Sequence, residues 1–348
     1  MLKKLATFLS IVLLLVSLTA CKQEQAALKD EVADSKSLTF TVTDQLGRQV
    51  EVPQDIQRIA ALHYLGGYIA FALGQQDKIV DQSFAGKLGK AMASVDDQFA
   101  AKSAMPTGSK LNLEHMNSLN PQVVFVYASF DTEQIQQIEN AGMKVIAIRG
   151  ETIEESFEAV RLMAKVLGCE DKGAKYIMAC EKLLAMVKDR VGTVSMQQRP
   201  KVMFAGPKNV LTVATGEMLQ ATIAESAGAK NVAAELKGYW SDVSPEQVAT
   251  WNPDFIFLSS SLDLQDVNSI YDNYQFNTVK AVQEKQVYVF PSNVGWWDFP
   301  APHCILGIVW TAKTLYPEKF ADIDMTQVAD EFYTEFLGHS FTSMGGKI

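Results

Sequence analysis

Residues 293–304, NVGWWDFPAPHC, set two indoles side by side and follow them with a carboxylate, a phenyl ring, two prolines and an imidazole. Such rings either fill a core or wall a cleft that holds an apolar guest. A buried Trp needs a partner for its N–H, and two adjacent residues do not face the same way. One of Trp296 and Trp297 is therefore expected to pack and the other to face a cleft. Asp298 and His303 are polar candidates for the same wall, with a hydrogen-bonded structural role as the alternative. His63 and Tyr64 are types that contact a metal or chelate at neutral pH, or that satisfy local hydrogen bonds. Arg149 offers a planar fork suited to a carboxylate, a catecholate or an oxyanion, and Lys208 would add positive charge. Tyr127 and Trp240 complete the candidate set. No GxGxxG, P-loop, GxSxG or HExxH motif is present, so recognition without turnover is expected. An enzyme would need an acid–base pair or a metal cluster assembled from Asp298, His303, His63 and Tyr64. No resident metal and no cofactor are expected.

These residues need elements to carry them. Residues 38–53 alternate around Gln45-Leu46-Gly47 and predict a hairpin. A strand at 58–62, a loop at 63–67 and a helix at 68–74 follow, then strands at 78–81, 123–128 and 144–149, interleaved with helical periodicity. Residues 152–194 hold no strand candidate and predict two consecutive helices, the second long. A second series begins at Lys201, with strands at 201–206, 255–260 and 287–291 and helices at 218–228 and 304–316. The expected fold is α/β, two lobes with mostly parallel sheets joined by one long helix. The boundaries are a signal peptide at 1–20, a lipidated Cys21 and tether over 21–37, an N-terminal lobe at 38–151, linking helices at 152–199 and a C-terminal lobe at 200–348. Ligands of open α/β sheets bind beyond the carboxyl ends of the strands, so a cleft between the lobes is the natural site.

Composition narrows the partners. A net charge of -9 without a Lys/Arg cluster argues against nucleic acid, whose phosphates require clustered cations. Lys3 and Lys4 precede an apolar run over 5–18, too short for a membrane span and ending in small residues, as a secretory signal does. LTAC, residues 18–21, resembles the bacterial lipobox, which implies a diacylglyceryl group on Cys21 and a protein held to a membrane outside the cytoplasm. Cys169, Cys180 and Cys304 remain, an odd number, so at least one is free or paired outside the chain. A helix between Cys169 and Cys180 would hold that pair too far apart to bridge.

From Arg58 onward the chain resembles the class III substrate-binding proteins of ABC importers. RIAALHYLGGYIAFALG looks like that family's first strand, loop and helix. LNLEHMNSLNPQVVFV resembles its helix carrying Glu, then Asn-Pro, then a strand, and VSPEQVATWNPDFIFL repeats the pattern in the second half. The resemblance implies that Glu114 and Glu246 meet the permease dimer, although each would also favour the N-terminal dipole of its helix. It implies that Trp296 is a cleft aromatic, ahead of Trp297, and that a lipid-anchored monomer delivers a small molecule to a permease. The cargo implied first is an iron chelate (siderophore or haem) or a corrinoid. Molybdate or tungstate on the same fold is the alternative, and a metal-dependent enzyme or a lipoprotein without a small ligand stands further off.

Overall fold

The computed structural model describes residues 38–81, 86–102, 112–259, 264–291, 293–301 and 303–348. Cys21, the expected signal peptide and the whole of the expected tether lie outside them. Strands β1 (Thr39–Thr43) and β2 (Gln49–Pro53) make the expected hairpin, turned at Gly47 with φ +79°, a conformation glycine adopts without steric cost. Residues 38–40 and Pro53–Asp55 cluster as a small separate unit, in which the Gln54 amide donates to the Leu38 carbonyl at 2.8 Å.

The first parallel sheet has the order β3 (Ile59–Ala61), β4 (Val123–Tyr127), β5 (Lys144–Ile148), with Ala61 opposite Phe125 and Tyr127 opposite Ile148. All five residues of β4 are buried, as the unbroken apolar run VVFVY requires of a strand covered on both faces. The strand expected at 78–81 is instead a single bridge from Ile79 to Ile59 after a 3-10 turn, Gln76–Lys78. Only two apolar residues stand between Lys78 and Asp81, too few to build a ladder.

Helix α1 (Tyr64–Ala72) starts four residues before the expected 68. His63 is its N-cap, with Nδ1 accepting the Leu65 amide at 3.3 Å, one of the orphan donors of a helix start. The glycines that suggested a loop lie inside the helix. A Cβ on Gly66 would stand 3.1 Å from the Phe125 Cβ and 3.2 Å from the Ala61 Cβ, so glycine here sets how closely α1 lies on β3 and β4. Helices α2 (Gly86–Ala93), α3 (Asp97–Ala100), α4 (Leu113–Leu119) and α5 (Thr132–Asn140) complete this half.

Two consecutive helices follow as expected: α6 (Ile153–Val166), closed by a Thr152/Glu155 capping box, and α7 (Glu170–Val191). At 22 residues, α7 runs ~33 Å. The second sheet has the order β11 (Val287–Val289), β10 (Phe255–Leu258), β6 (Lys201–Ala205), β7 (Thr212–Ala214), β9 (Trp240–Asp242), with β8 (Lys230–Asn231) also paired to β6. Strands β8, β10 and β11 run parallel in it, whereas β7 is antiparallel to β6 and β9 to β7. The sequence reading missed this antiparallel edge because three-residue strands carry too little alternation to register. The remaining helices are α8 (Leu219–Ser226), α9 (Pro245–Trp251), α10 (Leu264–Asp272), α11 (Lys280–Gln283), α12 (Cys304–Leu315) and α13 (Met325–Leu337). Helix α7 lies against both α6 and α12. Among the described residues no hydrogen-bonded strand pair joins the two sheets, so the expected α/β fold with two sheet-bearing lobes is present.

The repeated sequence pattern is also a repeated structure. Asn112 caps α4 and Ser244 caps α9 by accepting an amide three residues on, and Asn120 (φ +46°) and Asn252 (φ +47°) end them in the left-handed region. Asn adopts that region more readily than most side chains, and the Pro that follows each prevents the helix from continuing. Glu114 and Glu246 sit exposed in the two first turns.

Candidate binding cleft

The carboxyl ends of β3, β4 and β5 deliver their residues to one hollow of about 560 Å³. His63 and Tyr64 come from the end of β3, Tyr127 and Ser129 from β4, and Glu151 from β5. The second lobe supplies Met218 ahead of α8 and Tyr239 and Trp240 at the start of β9, while Phe299 and Pro300 close the hollow. Rings touch around it in sequence. His63 lies 4.0 Å from Tyr64 and 4.4 Å from Tyr127 between centroids, Tyr64 is 4.8 Å from Trp296, Trp296 is 5.5 Å from Phe299, and Phe299 is 6.1 Å from Trp240.

Protonation follows from burial. Desolvation holds the His63 imidazole down to about 3, so it is neutral at physiological pH. Its Nδ1 accepts from the helix, which places the remaining proton on Nε2 and makes that nitrogen a donor. Burial raises the Tyr64 and Tyr127 phenols, and the nearby Glu151 carboxylate raises both further. Both stay protonated. Glu151 is itself raised by burial, although bonds from Tyr127 and the Leu219 amide pull the other way. Its Oε1 accepts the Tyr127 hydroxyl at 2.5 Å and its Oε2 the Leu219 N–H at 3.2 Å, while Thr222 Oγ1 donates to its carbonyl at 3.4 Å. Glu151 thus ties the end of β5 to the start of α8. Among the described residues no three His, Cys, Asp or Glu side chains converge as a metal cluster, and protonated phenols and a committed Nδ1 are poor first ligands for a metal.

Of the sequence candidates, His63, Tyr64, Tyr127 and Trp240 line the hollow. Trp296 is half-buried against Tyr64 and Phe299, backing the lining rather than belonging to it. Trp297 is a core residue, which corrects its place among the ligand contacts. It is 0% exposed, its Nε1–H donates to the Tyr333 hydroxyl at 3.1 Å, and its ring packs on Phe341. Its backbone is crowded by α12, where a Cβ on Gly307 would fall 2.3 Å from the Trp297 oxygen. Asp298 (1% exposed) and His303 (3% exposed) are likewise buried outside the lining. The Asp298 carbonyl accepts from Gln220, and His303 stacks on Tyr68 with its pKa pushed down to about 3 by burial. Neither stands where a ligand contact was expected, because α12 packs closely on this stretch at Gly307. Lys208 is exposed and lies 3.6 Å from Asp242, outside the lining. Arg149 lines an adjoining hollow with Glu151, Glu155 and Glu217 and pairs with Glu155 at 3.5 Å. Cys169, Cys180 and Cys304 are free thiols.

Sequence reasoning missed Glu151, Phe299, Met218 and Tyr239 as individual contacts. Glu151 lies two residues beyond the singled-out Arg149, so following the carboxyl end of β5 further would have found it. Met218 had no signal, since the edge strand ahead of it was not legible.

The comparisons agree with this architecture. A family model described as periplasmic binding protein matches residues 59–294. The molybdate-binding protein MolA of Haemophilus influenzae is 30% identical over 341 residues, covering 91% of this chain and 96% of that protein. The uncharacterized ABC transporter substrate-binding lipoprotein YvrC of Bacillus subtilis is 23% identical, covering 92% and 99%. The solved structure of the Haemophilus influenzae MolA bound to molybdate superposes with a TM-score of 0.76 at 26% identity, covering 86% of this chain and 98% of that one. The chain belongs to the periplasmic binding protein family, in its class III branch of substrate-binding proteins serving ABC importers.

Proposed function

We propose that the protein captures an oxyanion of the molybdate or tungstate class in the cleft between its sheets and hands it to an ABC permease. One observation carries the reading: His63, Tyr64 and Tyr127 line the cleft in neutral, proton-bearing forms. His63 Nε2–H and the Tyr64 hydroxyl, with the hydroxyls of Ser129 and Tyr239 and the Trp240 indole, make a donor-rich lining, in which the Tyr127 hydroxyl donates to Glu151. Oriented neutral donors in a partly dry site stabilise a four-oxygen anion without a matching cation. The full-length likeness to a molybdate-binding protein supports the same class. Glu114 and Glu246, exposed at equivalent places on α4 and α9, are the permease contacts in this reading. Lipid on Cys21 would hold the protein at the membrane, and YvrC, a lipoprotein by name, supports that anchor.

A second reading, an iron chelate or corrinoid, is favoured by the aromatic wall and by a hollow of about 560 Å³, a volume suited to a guest much larger than a single oxyanion. Tryptophan fluorescence titration with molybdate, tungstate, sulfate, a ferric hydroxamate, haem and cyanocobalamin separates the two. Saturable one-to-one binding of molybdate or tungstate, with sulfate inert, is the expected result. Saturation by a chelate alone would replace the oxyanion with the chelate.

A further inference from the structure

Two carboxylates line the hollow, and each is a misfit for an anionic guest: Asp131, exposed and capping α5 by accepting the Gln134 amide at 2.8 Å, and Glu151, half-buried among the donors. Glu151 lines the hollow and holds one of its donors, the Tyr127 hydroxyl, while its other oxygen accepts the buried Leu219 amide behind the lining. It holds the hydroxyl much as a ligand oxyanion would. A dianion reaching the site meets a like charge that already occupies that donor, and such a juxtaposition is unfavourable unless one charge is removed.

We propose that Glu151 is the proton-coupling residue of the cleft: it takes up one proton from solvent when a dianionic oxyanion binds. The proposal rests on the oxyanion reading above. The proton lands on a carboxylate oxygen and turns an acceptor into a donor, so the Tyr127 hydroxyl and the new O–H can both serve ligand oxygens. The groups facing Glu151 fit this role. Tyr64 and Tyr127 are held protonated by burial, and His63 is held neutral, so none of them exchanges a proton near neutral pH. Glu155 accepts the Glu151 amide at 3.0 Å and is paired to Arg149, and Glu217 and Tyr239 border the adjoining hollow. From α8 the neighbours are the Leu219 amide and Thr222, which carry no charge. Burial has already raised the Glu151 pKa, and a bound dianion raises it further.

The test is calorimetry of the whole chain with sodium molybdate, in buffers of different ionisation enthalpy, between about pH 6 and 8. One proton should be taken up per molybdate, and affinity should fall by about tenfold per pH unit on the alkaline side, the linkage slope for a single proton. Glu151→Gln should bind with no proton uptake, no pH slope, and tighter affinity at the alkaline end. Glu151→Asp, which keeps a carboxylate, should retain the uptake. Wild-type binding with no proton taken up would overturn the proposal and leave the oxyanion reading intact, and so would uptake persisting in Glu151→Gln. If neither molybdate nor tungstate binds at any pH, both readings fall. Should Glu151→Gln not fold, the wild-type proton count and its retention in Glu151→Asp still decide.

Discussion

Trp297→Phe separates a core tryptophan from a cleft tryptophan. The indole is 0% exposed and its N–H donates to Tyr333 at 3.1 Å, inside a cluster that includes Phe341. Phenylalanine keeps the ring but deletes the donor, which costs about 1–3 kcal/mol for a buried group left without its partner. The smaller ring leaves a void worth about 1 kcal/mol more. The sum, about 2–4 kcal/mol, is a large share of the ~5–15 kcal/mol that separates folded from unfolded states. Urea unfolding followed by far-UV circular dichroism should show a lower midpoint with an unchanged slope. Molybdate affinity should stay within about threefold, because Tyr333 and Phe341, which hold the side chain, lie outside the cleft lining. Trp240→Ala should behave in the opposite way, losing about tenfold or more in affinity, as a lining aromatic does, with little change in midpoint. An unchanged midpoint in Trp297→Phe together with a large loss of affinity would refute the placement of this residue in the core.

Three further outcomes follow from the same geometry. His303 is buried with its pKa held at about 3 against its ordinary 6.5. The unfolded chain therefore binds a proton there that the folded chain refuses. Its stability contribution is present above pH 6.5 and drains away as pH falls toward 3, by up to about 1.4 kcal/mol per pH unit. Urea midpoints measured downward from neutral pH check this, and a profile equally steep in His303→Phe would refute it. Gly307→Ala would press a Cβ against the Trp297 carbonyl and should destabilise by about 1–3 kcal/mol, read as a lower unfolding midpoint. Replacing Glu114 and Glu246 together with alanine should leave ligand affinity unchanged and lower permease-dependent uptake, and normal uptake in reconstituted vesicles would count against a docking role.

The two sheets, the long middle helix and the twinned helix–Asn-Pro–strand units were legible in the sequence, because each rests on a local rule. Apolar runs such as VVFVY demand a covered strand, 3.6-residue spacing over Glu170–Val191 demands a helix, and Asn-Pro after a short helix demands a stop. The start of α1 was misplaced because the glycines at 66 and 67 look like a loop until Phe125 and Ala61 are seen against them. The antiparallel edge of the second sheet escaped notice because its strands draw their pairing from partners far along the chain.

The site divided along the same line. Residue types and strand ends alone brought His63, Tyr64 and Tyr127 to the cleft, since a side chain at the carboxyl end of a strand has little choice of where to stand, whereas Trp240 opens a strand the sequence did not reveal. The fate of the Trp296–His303 stretch was decided by tertiary packing. Close approach of α12 at Gly307 turns Trp297, Asp298 and His303 inward and leaves Phe299 and Pro300 at the surface of the cleft. Glu151 likewise owes its surroundings to contacts from β4 and α8, 24 and 68 residues away in the chain. A sequence fixes which groups are present and which local conformations they favour. Which of them lose water, and which share a proton or a donor, depends on neighbours that only folding brings within a few ångströms.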